Sequence, residues 1–347
     1  MNKVDYLIVG QGIAGSFLAF ELLKRKKSFL IIDQGFTNSS SWVAAGVINP
    51  VILRRLTLSW RAQEFSEYNI SFYRELADYM GKNYFHNDCL YKLIQSDDEK
   101  KFWKHRYHKA SLKNWIQEEI LPPKKNDVLT QNFSYGLVKH SGWFDLKGFL
   151  GHFRKHLIRN NQLVEKSFNY DLIEGNHYEN HAFNHLIFCE GYGAKNNPFF
   201  KHIPFGWNKG EVLTIEDTKI QERKLLKKKV FILPLGDNQY KVGATYDRDF
   251  TNTEPSKTKR DELEDLLSGF IKSDYQVVNH EAAVRPSIRD RRPIMGKDKT
   301  SGYYIFNGLG SRGCFMAPLL SKEFIDFIEL NLELNNAVRL ERFTRPS

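Results

Sequence analysis

Val4-Asp5-Tyr6-Leu7-Ile8-Val9-Gly10-Gln11-Gly12-Ile13-Ala14-Gly15 is the stretch on which the fold turns. Residues 4–9 form a short, mostly apolar run bounded by glycine, the pattern of a strand buried on both faces of a parallel sheet. Over 13–24, Ala14, Phe17, Leu18, Glu21 and Leu22 recur at helical spacing, and Lys24, Arg25, Lys26 and Lys27 place cations at the negative end of the helix dipole. Residues 28–32 read as a second strand ending at Asp33, which completes a βαβ unit. Its strand-to-helix turn is G-x-G-x-x-G, with an acid 23 positions after Gly10. Gly10 permits the tight turn, Gly12 lets a pyrophosphate approach the backbone, and Gly15 lets helix and sheet pack closely. The helix N-terminus favours phosphate, while Asp33 suits a ribose and disfavours a 2′-phosphate. A bound dinucleotide is therefore expected, with NADP the least favoured.

Around this unit, 347 residues correspond to about two domains. The apolar content of 41% and charged content of 27% exclude disordered and membrane-spanning classes. No run of 18 apolar residues occurs, and the acidic N-terminus has too short an apolar run for a signal peptide. Cys89, Cys189 and Cys314 are odd in number and far apart, so neither a disulfide framework nor a metal site is expected. A reducing cytoplasm suits them. Lys and Arg outnumber Asp and Glu by 51 to 41, a net charge of +10, which permits an anionic partner such as RNA without requiring one.

Further along, residues 35–41 read as a polar loop leading into Ala44, Ala45 and Gly46, whose small size allows close backbone approach. A helix is predicted over 60–80, with Phe65, Tyr68, Phe72, Leu76 and Tyr79 on its core face and Gly81 as its stop. Between 82 and 132 the pattern weakens into short strands and a basic helix, whose Lys100, Lys101, Lys104 and Arg106 read as a solvated face. Asp145 caps another helix, and strands follow near 162–166 and 185–189. From 210 to 246 the texture becomes alternating, with strands at 231–235 and 240–245 joined by a hairpin at Gly236-Asp237-Asn238. A charged helix over 256–271, strands over 276–286 and 303–306, and a final helix after Gly313 complete the chain. The α/β pattern thus occupies both ends and a middle piece, with antiparallel pattern inserted between them. The fold class is α/β plus α+β, in two discontinuous domains.

The opening motif, Ala44-Ala45-Gly46, Gly243-Ala244-Thr245, Arg285-Pro286 and residues 308–318 occur in this order in the glycine oxidase and D-amino-acid oxidase superfamily of flavoproteins, which the chain resembles over nearly its whole length. The resemblance implies a Rossmann-like FAD-binding domain with a parallel sheet (1–81, 145–204 and 285–347) and a substrate domain with a mainly antiparallel sheet (82–144 and 205–284). It implies FAD contacts at Gly10, Gln11, Gly12, Ile13, Ala14, Gly15, Asp33 and Gln34, then at Ser41, Ala44, Ala45, Gly46 and Gly191. Gly308, Gly310, Ser311, Arg312 and Gly313 would stand at the flavin's pyrimidine edge, where a helix N-terminus favours the reduced ring's negative charge. Arg285 would grip a substrate carboxylate, with Arg312, Tyr246 and Phe231 lining the same pocket. Phe231 stands where glycine oxidase has a tyrosine. The implied reaction is hydride transfer from a small amine or amino acid to flavin N5, with O2 or another acceptor reoxidising the flavin, and no catalytic base is nominated.

Residues 285–294, Gly310-Ser311-Arg312-Gly313 and Ala317-Pro318-Leu319-Leu320 also resemble the oxidoreductase half of the bifunctional 5-methylaminomethyl-2-thiouridine biosynthesis enzyme. That enzyme removes a carboxymethyl group from a tRNA wobble uridine, so tRNA is an alternative partner. No methyltransferase half accompanies the match within these residues. Two other readings stand beside these: a nicotinamide-dependent dehydrogenase, and a flavin-binding protein without turnover. The latter is motivated by Glu190, whose carboxylate would repel the flavin phosphates or face solvent.

Overall fold

The structure, a computed structural model, describes residues 2–36, 39–109, 111–123, 129–130, 132–220 and 224–343. Thr37 and Asn38 of the predicted polar loop lie outside the described residues.

An eight-stranded sheet carries the first layer. Its parallel core runs Leu163–Glu165, Phe29–Asp33, Asn2–Val9, His181–Phe188 and Tyr304–Asn307, with Ile294–Lys297 antiparallel at the far side. The helix Ile13–Lys24 coincides with the predicted span and packs against the final helix Gly313–Leu330, which in turn packs on Ala62–Met80. Phe17, Phe65, Phe72 and Phe149 are fully buried between these layers, each contributing about 2 kcal/mol by burial alone.

Local signals set the helix ends. Gly81 closes Ala62–Met80 at φ +66°. Asp145 accepts Gly148 N at 2.9 Å to start Leu146–Arg159, and Ser256 accepts Lys259 N at 3.3 Å to start Lys257–Ser268. Tyr79 departs from its predicted core role: it is 43% exposed, because its hydroxyl meets His156 at 2.8 Å near the surface. Ser40–Val43 is a short helix rather than loop, held by stacking of Trp42 on Phe36 at 4.5 Å.

The second sheet has seven strands, ordered Gln276–Ile288, Phe205–Glu216, Gln239–Gly243, Phe231–Gly236, Leu226–Lys227, Leu90–Ile94 and Ser134–Val138. Every neighbouring pair is antiparallel except Leu226–Lys227 with Leu90–Ile94. Asp237 and Asn238, both at positive φ, make the predicted hairpin turn. No described helix is long and apolar enough to cross a membrane.

Candidate active site

The carboxyl ends of the parallel strands and one face of the second sheet enclose a cavity of about 720 Å3. Gly10, Asp33, Gly191 and Leu309, each just beyond or at the end of a parallel strand, line it, which is where open α/β sheets hold ligands.

The turn leaves no room for a Cβ at Gly10 or Gly15 and little at Gly12. Gly10 has φ +101°, and a Cβ there would stand 2.6 Å from Cys189 O. A Cβ on Gly15 would stand 2.0 Å from Gly10 O, and one on Gly12 would stand 3.2 Å from Ser41 Oγ. Ser41 Oγ accepts Ile13 N at 3.0 Å. Asp33 is fixed by three donors: Gln11 N to Oδ2 at 2.8 Å, and Gly35 N at 2.8 Å and Arg154 Nη1 at 2.7 Å to Oδ1. Oδ2 therefore retains acceptor capacity for a ribose hydroxyl. A cradle that any Cβ would fill, a helix N-terminus and a positioned acid fit the ADP half of FAD.

Of the residues singled out from sequence, the structure brings Gly10, Gly12, Ile13, Ala14, Asp33 and Gln34 to the cavity wall. Ser41, Ala44, Ala45, Gly46 and Gly191 join them, as do Gly310, Ser311, Arg312 and Gly313. Gln11, Gly15 and Gly308 do not reach the wall. The Gln11 side chain turns inward, donating to Leu150 O at 3.3 Å and accepting from Arg154 at 2.8 Å. Gly308, at φ +77°, lies so close to Ile288 that a Cβ would meet its Cγ1 at 2.8 Å. Its role is to turn the chain.

Arg285, Arg312, Phe231 and Tyr246 all line the cavity. Arg285 projects from Gln276–Ile288, donates to Asn208 Oδ1 at 3.0 Å and Thr245 O at 3.2 Å, and lies 4.6 Å from the Tyr246 ring centre. No described carboxylate pairs with it. Burial lowers its pKa, the mark of a guanidinium taken out of water without a counter-ion. Arg312 precedes the final helix, donates to Asn49 O at 2.5 Å, and is shifted in the same direction by burial. Phe231 begins its strand as expected. Tyr246 does not stand on a strand, which ends at Gly243; it is 64% exposed over Arg285.

Glu190 lies at the cavity wall and is partly exposed; Tyr170 Oη and Asn197 Nδ2 donate to its two oxygens, and burial of the carboxyl pushes it up to about 7. Cys314 lies at the cavity wall with its thiol pushed up to about 12 by burial.

Two residues had no sequence signal. Arg154 lies 121 positions from Asp33, and its fork also reaches Glu165 at 2.9 Å. Gly210 reads as an ordinary strand glycine until Arg285 is seen against it. Most of the cations in the basic stretches at 24–27 and 100–106 are engaged away from the cavity. Lys24 pairs with Glu21 and Glu75, Arg25 with Asp326, and Lys27 with Glu329. Lys100 and Lys101 pair with Asp97 and Asp98 on an exposed helix. Lys227, from the basic stretch 224–229, reaches the cavity wall together with Arg54 and Lys195.

The nucleotide cradle, the two guanidinium groups without an ion pair among the described residues and the sheet above them define a flavin-dependent oxidoreductase. Residues 5–327 match the family described as FAD dependent oxidoreductase, and the chain belongs to it. Its cofactor is FAD, not a nicotinamide. The chain is similar to the tRNA 5-methylaminomethyl-2-thiouridine biosynthesis bifunctional protein MnmC of Leptospira borgpetersenii, 23% identical over 92% of this chain and 56% of that one. The protein of the same name from Legionella pneumophila (strain Corby) is 24% identical over 84% of this chain and 45% of that one. The chain thus spans about half the length of these relatives. In fold it is similar to glycine oxidase from Geobacillus kaustophilus (TM-score 0.79, 18% identity, 99% and 98% of the two chains). Iminodiacetate oxidase from Chelativorans sp. BNC1 is similar too (0.78, 17%, 98% of each).

Proposed function

We propose that this FAD-dependent oxidoreductase oxidises the C–N bond of a small amino acid or N-substituted glycine. One observation carries the reading: Arg285, a partly buried guanidinium with no anionic partner among the described residues, faces a cavity whose other walls are the glycine turn and the 310–313 loop. A substrate carboxylate would complete its charge, and its planar fork matches that anion. FAD, when bound, accepts the hydride from the substrate α-carbon. The chain's own task is to orient and to exclude water. Arg285 and Arg312 hold the carboxylate, Phe231 and Ala244 supply an apolar wall, and Tyr246 covers Arg285 from the solvent side. Gly10, Gly12 and Asp33 hold the adenylate half, and Ala45, Gly46 and the 310–313 amides hold the ring.

In this reading residues 1–81, 145–204 and 285–347 serve the cofactor, and 82–144 and 205–284 serve the substrate. A cytoplasmic setting belongs to the proposal and is supported by three unpaired cysteines. The test is the visible spectrum under anaerobic conditions before and after sarcosine, glycine and a D-amino-acid panel. Bleaching of the flavin band by any of them supports the reading; a yellow protein that none of them bleaches sinks it.

A second reading places the N-substituted glycine on a tRNA wobble uridine. It is supported by the names of the curated relatives and by Arg54, Lys195 and Lys227 at the cavity wall. Salt-sensitive binding of tRNA to the holoenzyme tests it.

A further inference from the structure

The face of the second sheet over the cavity carries cations at both ends. Val212, Gly243, Phe231 and Lys227 stand directly opposite one another across successive strands, so all four project to one face. Asn208 and Arg285 are paired on the first two strands, an even number of residues from that row and hence on the same face. The Arg285 guanidinium lies over Gly210, and the Lys227 ammonium lies 5.9 Å from the Phe231 ring centre. The strands bearing Gly210 and Phe231 are two ladder steps apart, roughly 10 Å. Between them the wall is Val212, Gly243 and Ala244, small or apolar.

Lys227 is half-buried and has no ion pair among the described residues. Among the described residues its ammonium donates only to Lys229 O, at 2.8 Å, leaving donors unused. Its cross-strand neighbour is another lysine, Lys92, likewise without an ion pair. Burial pushes Lys227 down to about 8. A charged group half removed from water, without a counter-ion, beside a ligand cavity is a standing demand for an anion.

We infer that Lys227 forms a second anion subsite opposite Arg285, so that the preferred substrate is an N-substituted glycine whose substituent itself bears an anionic group. The inference rests on the amine-oxidation reading for the identity of the first anion. A carboxylate on a short substituent and a phosphate on a nucleoside-borne one share this chemistry.

The test separates the sources and does not depend on turnover. The FAD-loaded protein is reduced with dithionite under anaerobic conditions, and ligand binding is followed by calorimetry. One arm compares iminodiacetate with its neutral isostere N-(carbamoylmethyl)glycine; the other compares 5-carboxymethylaminomethyluridine with its 5′-monophosphate. In at least one arm the anionic member should bind about tenfold tighter, the scale of one charge-assisted contact. Lys227→Met should abolish that preference, and Lys227→Arg should retain it. No preference in either arm, or one that survives Lys227→Met, overturns the subsite. A Lys227-dependent preference alongside a flavin that no amine bleaches would uphold the subsite and sink the oxidation reading instead.

Discussion

The guanidinium of Arg285 lies flat on the backbone of Gly210, so closely that a Cβ at position 210 would stand 2.0 Å from Nη2 and 2.2 Å from Cζ. Gly210 thus sets where the arginine's fork points. Gly210→Ala should displace the fork while leaving its charge in place. The expected result is a fall in kcat/KM for carboxylate substrates that approaches the loss in Arg285→Ala. If Gly210→Ala retains full efficiency, the close packing has no catalytic consequence.

Arg285→Ala itself should lower kcat/KM for the true carboxylate substrate by about 100-fold or more, as expected when one member of a buried charged pair is removed. Steady-state kinetics decide it. An unchanged efficiency would remove Arg285 from the site.

Arg154 is the structural partner of Asp33, and its removal leaves a mostly buried carboxylate without its cation. Arg154→Met should cost about 3 kcal/mol of stability and weaken FAD retention. Denaturant unfolding and the ratio of flavin to protein absorbance after gel filtration measure the two effects. A variant that keeps both at wild-type values would show that Gln11 N and Gly35 N suffice to hold Asp33.

Glu190 gives a pH dependence of defined sign. Its folded pKa is raised by burial from 4.5 to about 7, so between these values the folded state binds more protons than the unfolded one. Its contribution to stability is therefore greatest at low pH and is lost as pH rises towards and past 7, by roughly 1–3 kcal/mol. Glu190→Gln should flatten that part of the stability profile and make the protein more stable than wild type at pH 8. A wild-type slope that persists in Glu190→Gln between pH 5 and 8 would assign it to other groups.

The thiol of Cys314 is buried and its pKa is raised, which makes it a poor nucleophile despite its place in the cavity wall. Flavin should therefore be held without a covalent bond. Acid precipitation should leave the yellow colour in the supernatant; colour retained in the pellet would contradict this.

What the sequence made legible was local. The first strand, its helix and Asp33 followed from periodicity and the glycine turn, and the ends at Gly81 and Asp145 followed from capping chemistry that acts within one turn. What it hid was tertiary. Nothing near Arg154 announces Asp33, because the contact exists only once two distant elements pack. The reason for glycine at 210 lies in a side chain 75 positions away. The strand expected over 240–245 stops pairing at Gly243, two residues short of its expected end, because no strand continues beside 244 and 245 on the Phe231 side. The surroundings of Glu190 were equally hidden, since Tyr170 and Asn197 reach it through the fold.

The carbonyl of Pro286, next to Arg285, accepts the amide of Gly310 at 2.9 Å, and Ser287 bridges to Leu309. The strand that carries Arg285, the proposed substrate anchor, is thereby stitched to the loop that would face the flavin. The two behave as the fixed jaw of a clamp, with their spacing set by a single peptide rather than by how the two sheets move. Breathing that admits substrate is then expected at the opposite jaw, on the side of Phe231 and Lys227, where no such stitch to the 308–313 loop is found among the described residues.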